Sequence, residues 1–356
     1  MPIGLMKTPV VKMADCPKGI GHLPSEIKPE ILTLLEGAKK VLIFSHVNPD
    51  GDALGSSVGL AAAIAARGGQ ADLYLSGEWS SHLDFLLEGV SIKRDLNSLA
   101  SYDLLVLLDC HSFARLGDAG KVVLKKLKEL SNEPPLVVID HHLEAKDEKA
   151  GGHWLHCSSA SSAGELVWAL LKKMNWSLPH NGVQALMMAV ASDTGFFTQS
   201  NTTAGALQAA SDLTALGGSI EELYRQVKKN WPVRRLRLMG LALNSLGLYF
   251  GNRLAIMVIT PEMLRITGAT MSDTDDFVEM GRNLDSVNLS ALIKDVGNGP
   301  GTVKVSLRSR SAVDASSLAK LFGGGGHRQA SAYNDPQAED AESAMANLLA
   351  VAEQFL

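Results

Sequence analysis

The sequence predicts an α/β protein: a mostly parallel sheet flanked by helices, with a second, smaller α+β domain across a cleft. Three observations predict it. Short apolar runs (Val41-Leu42-Ile43-Phe44, Leu104-Leu105-Val106-Leu107-Leu108 and Leu136-Val137-Val138-Ile139) alternate with stretches of helical length. Each run ends in polar residues that include an acid or an imidazole, as a buried strand does when it delivers its last side chains to a sheet edge. After Gly247 strand-like patterning returns, interrupted by the turn signal Gly297-Asn298-Gly299-Pro300-Gly301. A chain of 356 residues can bury two separate cores.

In chain order, residues 1–24 carry Pro2, Pro9, Pro17 and several lysines without an apolar signal region, and read as a loose extension. Ser25 to Lys40 reads as an amphipathic helix leading into the first strand. Ala53 to Arg67, rich in Ala, Gly and Ser and closed by Gly68-Gly69, suits a tightly packed helix with a glycine stop. Ala71 to Leu75 is a second strand, and Lys121 to Leu130 a helix between the strands that end at Asp109 and Asp140. Helices follow over Ser162 to Met174, Val183 to Ala191, Ala204 to Leu216 and Ile220 to Lys229. With these the first domain spans 25–231, and 232–246, opened by Pro232 and carrying Arg234, Arg235 and Arg237, is a helical connection. The second domain, 247–356, holds strands at Leu254 to Ile259, Leu289 to Val296 and Thr302 to Arg308. Its helices lie at Asp314 to Leu321 and about Ala338 to Phe355.

Composition bounds the function. A net charge of −5 argues against bulk binding of long duplex nucleic acid, which relies on many basic phosphate contacts. Cys16, Cys110 and Cys157 form no C-x-x-C pair, so neither a disulfide framework nor a zinc knuckle is indicated, which fits a reducing cytoplasm. No apolar stretch reaches the ~20 residues needed to span a bilayer.

Ser45-His46-Val47-Asn48-Pro49-Asp50-Gly51-Asp52 is the most informative segment. It places an imidazole and two carboxylates just beyond a strand, where ligands of open α/β sheets sit. Asp109 and Asp140-His141-His142 end two further strands, and Asp193 follows the apolar helix Val183 to Ala191. Asp and His without Cys form a hard-to-borderline donor set, suited to Mn²⁺, Mg²⁺, Fe²⁺ or Co²⁺. Carboxylates from several strand ends can hold two ions, the arrangement of two-metal phosphoester hydrolysis. His153, His156 and Cys110 read as structural, while His111 is open between cleft lining and surface.

His46-Val47-Asn48-Pro49-Asp50-Gly51-Asp52, Asp109, Asp140-His141-His142 and Asp193 in Ala191-Ser192-Asp193-Thr194-Gly195 resemble, in order, the four motifs of the DHH phosphoesterase family. Gly323-Gly324-Gly325-Gly326-His327 resembles the glycine-rich signature of the associated DHHA1 domain, and the pairing resembles the nanoRNase/pAp-phosphatase group. The resemblance implies two divalent ions, Mn²⁺ first. One would be held by His46, Asp50, Asp109 and Asp193, the other by Asp52, Asp109 and His141, with Asp109 bridging and catalytic. It implies that Asp140 orients an imidazole and that His142 acts on the substrate phosphate. Substrate contacts would come from Gly324, Gly325, Gly326, His327 and Arg308, with Arg115 a further candidate. The implied substrates are short oligonucleotides and 3′-phosphoadenosine 5′-phosphate (pAp), and the implied assembly a homodimer. The alternative is a cyclic di-AMP or pApA phosphodiesterase in second-messenger turnover. Ala330-Ser331 is followed by Ala332 where many relatives have Gly, a methyl that narrows the expected pocket.

Overall fold

The computed structural model describes residues 27–356 except 98, 143–150, 230, 296, 298, 300 and 311–312, and of residues 228, 229 and 327 the backbone alone. The extension expected over 1–24 lies outside the described residues. The chain divides into two units, Met1–Asn230 and Trp231–Leu356.

The first unit runs α1 (Pro29–Gly37), β1 (Lys40–Phe44), α2 (Gly51–Ala66), β2 (Gln70–Tyr74), β3 (Ile92–Lys93), β4 (Leu104–Leu108), α3 (Asp118–Glu129), β5 (Leu136–Asp140) and β6 (His153–His156). α4 (Ala163–Met174), α5 (His180–Asp193), α6 (Ala204–Ala215) and α7 (Ile220–Tyr224) follow. Its six strands are all parallel, in the order β3-β2-β1-β4-β5-β6. From β1 the chain builds outward to β2 and β3, then returns to place β4, β5 and β6 on the other side. The switch point therefore lies between β1 and β4, where a crevice opens beyond the strand ends.

Burial on both faces explains the unbroken apolar runs. Val41 and Ile43 of β1 join the core beneath α2, α4 and α5, while Leu42 and Phe44 join a second cluster with Phe113 and with Val123 of α3. α2 lies close against α5 through Gly55 and Gly59, one turn apart. A Cβ on Gly55 would stand 2.4 Å from the Ala185 carbonyl oxygen, and one on Gly59 2.4 Å from Leu186 Cδ2. The small residues of the predicted Ala- and Gly-rich helix thus bring its start alongside the end of α5 at Asp193. The helix expected over 220–229 is α-helical only to Tyr224 and continues as a π turn, Arg225–Lys229.

The second unit contains α8 (Val233–Asn244), β7 (Gly247–Tyr249), β8 (Leu254–Ile259), α9 (Pro261–Thr267), α10 (Phe277–Arg282), β9 (Leu289–Lys294) and β10 (Lys304–Ser309). It ends in α11 (Ala315–Leu321), β11 (Gly325–His327), β12 (Ala330–Asn334) and α12 (Ala341–Ala352). Its sheet is mixed, in the order β11-β12-β10-β9-β8-β7, with only β8 and β9 parallel. The segment 232–246, expected as a connection, is a helix that packs into this unit. Leu238 and Ala242 lie in its core with Met257 and Phe277. Arg235 is 1% exposed, stacked 4.4 Å from the Trp231 ring centroid, and its Nη2 donates to the Asp275 carbonyl at 2.6 Å. Among the described residues no helix is long and apolar enough to cross a membrane.

Candidate metal centre

Strand ends and one helix end converge at the switch point. His46 follows β1, and its loop is pinned by backbone bonds from Val47 N to the Arg115 carbonyl at 2.8 Å and from Asn48 N to the Ser76 carbonyl at 3.1 Å. Asn48 takes a left-handed φ of 55°, which Asn tolerates, and its side-chain oxygen accepts from Glu78 N at 3.0 Å. Asp50 then caps α2, its Oδ1 accepting from the amides of Asp52 and Ala53 at 3.1 Å each. Asp109 extends the β4 ladder, donating from its amide to the Ile139 carbonyl at 2.9 Å, and turns out of the sheet with φ 58°. A left-handed residue at a strand end is the kind of local strain found where a side chain must be aimed.

The two imidazoles are oriented alike. His46 Nδ1 faces the Val47 carbonyl at 3.0 Å and His141 Nδ1 the Ala160 carbonyl at 3.4 Å, so Nε2 of each is turned toward the carboxylates. His46 Nε2 lies 3.5 Å from Asp109 Oδ2 and 3.9 Å from Asp50 Oδ1. His141 Nε2 lies 3.5 Å from Asp109 Oδ1, 3.5 Å from Asp52 Oδ2 and 3.3 Å from Asp193 Oδ2. Asp109 therefore faces one imidazole with each oxygen. His142 Nδ1 bonds Asp140 Oδ1 at 2.7 Å, the orienting contact expected of Asp140, and lies 3.6 Å from Asp109 Oδ1. His111 Nδ1 stands 3.7 Å from Asp140 Oδ2.

Charge is concentrated here beyond what the protein neutralises. Burial, then the repulsion of Asp109 and Asp193, pushes the Asp52 carboxyl well above the usual carboxylate range. Burial opposes protonation of His46 and His141, yet Asp109 with Asp50, and Asp109 with Asp193 and Asp52, raise them to about 10 and about 12. Asp109 Oδ1 and His141 Nε2 are buried and make no hydrogen bond among the described residues. Buried polar atoms are rarely left so. Their donors fit a divalent cation, and the ligand atoms group as His46/Asp50/Asp109, Asp52/His141/Asp193 and Asp109/His141/His142, each within 4.8 Å.

Asp193, expected beside His46 and Asp50, lies in the Asp52/His141 group, held from behind by Asn201 Nδ2 donating to its carbonyl at 2.9 Å. Asp52 has a second task that the sequence did not show. Both its oxygens accept backbone amides at the start of α4, Ala163 at 2.6 Å and Gly164 at 2.9 Å. The remaining expected site residues divide between the units. Arg115 is exposed, and its described link to the metal loop is its backbone carbonyl.

In the second unit Arg308 lines a cavity of about 350 Å³ together with Gly325, Gly326 and Ala332. The Arg308 Nε is engaged by Glu279 Oε1 at 3.1 Å, which leaves less of its guanidinium for the substrate contact expected of it. The glycines differ in their reasons. A Cβ on Gly324 would stand 2.3 Å from the Ala332 carbonyl oxygen, whereas one on Gly325 would meet nothing within 4 Å. Packing requires Gly324; the openness above Gly325 leaves backbone accessible to a ligand. The His327 side chain lies outside the described residues.

A doubly wound parallel sheet with a His/Asp cluster at its switch point fits a phosphoesterase whose ligand atoms can hold divalent cations. Comparison with known proteins gives the family: residues 40–191 match the DHH family N-terminal domain and 256–356 the DHHA1 domain, and the chain belongs to the DHH phosphoesterase family. The bifunctional oligoribonuclease and PAP phosphatase NrnA of Thermus thermophilus is 30% identical over 298 residues, covering 84% of each chain. Its namesake in Bacillus subtilis is 24% identical, covering 90% of this chain and 97% of that one. An exopolyphosphatase-related protein of Bacteroides fragilis has the same fold, with a TM-score of 0.81 at 24% identity over 92% of this chain and 95% of that one.

Proposed function

We propose that the chain hydrolyses very short oligonucleotides to mononucleotides and removes the 3′-phosphate of pAp, using two divalent cations. The observation that carries this reading is Asp109, whose two oxygens face His46 and His141 separately at 3.5 Å each. A carboxylate so placed can join two cation sites. In this reading His46, Asp50 and Asp109 hold one ion, and Asp52, His141, Asp193 and Asp109 the other. Mn²⁺ is the first choice for these oxygen and imidazole donors, ahead of Mg²⁺, Co²⁺ and Fe²⁺. When bound, such a pair stabilises charge on the attacking and leaving oxygens of phosphoryl transfer.

The chain's own residues supply the rest. Asp140 fixes the tautomer of His142 through Nδ1, leaving that imidazole to hydrogen-bond the phosphate or carry a proton to the leaving oxygen. The DHHA1 cavity holds the nucleotide end, with Gly325 offering backbone and Arg308 charge. The match to relatives named for both activities, over most of either chain, supports the same substrate class here.

The test is Mn²⁺-dependent hydrolysis of 5′-labelled RNA of graded length, with pAp, pApA and cyclic di-AMP in parallel. Preference for the shortest oligomers together with release of phosphate from pAp is the expected result. Cleavage confined to pApA or the cyclic dinucleotide would replace this reading with second-messenger turnover.

A further inference from the structure

The two oxygens of Asp140 are served unequally. Asp140 ends β5 with no exposure to solvent, and its Oδ1 accepts twice from His142, from the backbone amide at 3.2 Å and from Nδ1 at 2.7 Å. Its Oδ2 is buried and accepts no hydrogen bond among the described residues. A buried carboxylate oxygen in that state costs free energy that one donor would recover. His111 Nδ1 faces it at 3.7 Å, about 0.5 Å beyond the usual hydrogen-bond limit. Chain geometry accounts for the pairing. The Asp109 amide bonds the Ile139 carbonyl at 2.9 Å, and there the chain leaves β4 with φ 58°. His111 and Asp140 stand just past that rung, so a side-chain contact continues the β4–β5 pairing where the backbone stops.

We propose that Asp140 holds two imidazoles, and that His111 is a positioning residue for hydrolysis: bonded to Oδ2, it fixes the plane of the carboxylate, which then aims His142. The role rests on the function proposed above, in which His142 acts on the substrate phosphate. Rotation of an Asp carboxylate about its last side-chain bond is soft. With Oδ1 alone engaged, the carboxylate can swing and carry the His142 ring with it; with both oxygens engaged, any swing breaks a bond. The His142 backbone is held separately, its carbonyl facing His156 Nε2 at 2.8 Å, so ring direction is the freedom left for Asp140 to remove. That direction matters, because the ring lies 4.7 Å from the His141 ring centroid and its Nδ1 3.6 Å from Asp109 Oδ1. A shift of about 1 Å in a group that meets the reacting phosphate can cost about a hundredfold in rate. His111 itself touches neither the ions nor the substrate in this reading. Asn at position 111 keeps an N–H donor near the place of Nδ1, and Ala leaves Oδ2 without one.

The full chain with Mn²⁺ is assayed on pApA and pAp. His111→Ala is expected to lower kcat about tenfold or more with KM within about twofold of wild type, and His111→Asn to restore most of the loss. Calorimetric titration with Mn²⁺ should give equal affinity in all three proteins. A fall in affinity that matches the fall in kcat would make His111 part of the ion site and overturn the proposal. A double-mutant cycle tests the route: on an Asp140→Asn background, His111→Ala should cost less than about twofold, whereas its full factor on that background means action independent of Asp140. Wild-type kcat in His111→Ala also overturns the proposal. The imidazole signals of the metal-free protein read the contact without turnover. The His142 Nδ1 proton should be sharp in the wild type and in His111→Asn, and broadened by exchange in His111→Ala. A wild type that hydrolyses neither substrate, with this signal still responding, would sink the proposed function and leave the positioning of His142 standing. An active wild type whose signal ignores both substitutions sinks the positioning role alone.

Discussion

At the end of the first sheet Asp52, Asp109 and Asp193 crowd around His141, whereas on the second sheet Lys294 stands opposite Lys304. Both regions gather like charges, and they cope differently. The acidic cluster carries its own relief, because His46 and His141 can take up protons and become cations between the carboxylates. Lys294 has Asp275 as partial relief, and burial favours loss of its charge instead. One region thus offsets its like charges with protonatable partners of its own; the other offsets them only in part.

The largest expected effect breaks the first region's function and removes the carboxylate that faces both of its histidines. Asp109→Asn removes one of the clustered charges and keeps a residue that tolerates the left-handed backbone. Turnover with Mn²⁺ should fall about a thousand-fold or more, since the substitution removes several kcal/mol of transition-state stabilisation. The melting temperature in EDTA should fall, since Asp109 is the leading partner of the protonated His46 and His141, and near wild-type turnover would remove Asp109 from the centre.

Asp52→Asn should cost stability as well as activity. An amide cannot accept from both Ala163 N and Gly164 N, and one buried donor left facing another costs about 1–3 kcal/mol. Chemical denaturation without metal would show it, and an unchanged midpoint would contradict the capping role.

The protons on the acidic cluster can be counted. A ligand imidazole must be neutral, so cation binding should expel protons from His46 and His141. Calorimetry near pH 8 in buffers of different ionisation enthalpy should give heats that differ by buffer; identical heats would refute the exchange. The sign for stability follows from the raised values. The protonated histidines stabilise the metal-free fold fully below pH 6.5, and this contribution is lost as pH rises through about 10 for His46 and about 12 for His141. The EDTA-treated protein should therefore lose melting temperature across that window, and the Mn²⁺-loaded protein should lose less.

Glycines sharpen the second region. Gly324→Ala drives a methyl into the Ala332 carbonyl and should destabilise by about 1–3 kcal/mol. Gly325→Ala should leave the denaturation midpoint equal or up to about 1 kcal/mol better, while raising KM. An unchanged KM for pAp would take Gly325 out of the binding face. The smallest effect is Lys294→Met, which removes a cross-strand repulsion of about 0.2–1 kcal/mol and should raise the melting temperature by a few degrees at most.

What was legible in the sequence followed from local pattern. Strands buried on both faces, β1, β4 and β5, announce themselves as apolar runs, and their polar ends fall together because parallel strands all point one way. β11 and β12 escaped notice because Gly325 to Asn334 offers small and polar residues rather than alternation, and α9 and α10 are too short for a period to show. Arg235 looked like a solvated charge on a linker; only the placement of Trp231 and Phe277 around it reveals a buried cation inside a domain. The register of Lys294 against Lys304 depends on strand pairing across the intervening turn, and spacing alone does not fix it. Asp52's bond to α4 joins positions 111 residues apart, beyond any motif window.

That bond bears on how the protein can be taken apart. α2 supplies the cap for α4, α2 lies on α5, and α5 ends in Asp193, so the first turn of one helix depends on a side chain of another. The centre is therefore not a motif that can be grafted as a loop or rebuilt from a shorter fragment. Any excised or transplanted version must carry β1 through Asp193 as one block. The second unit's cavity is drawn from residues 274–332, all within that unit.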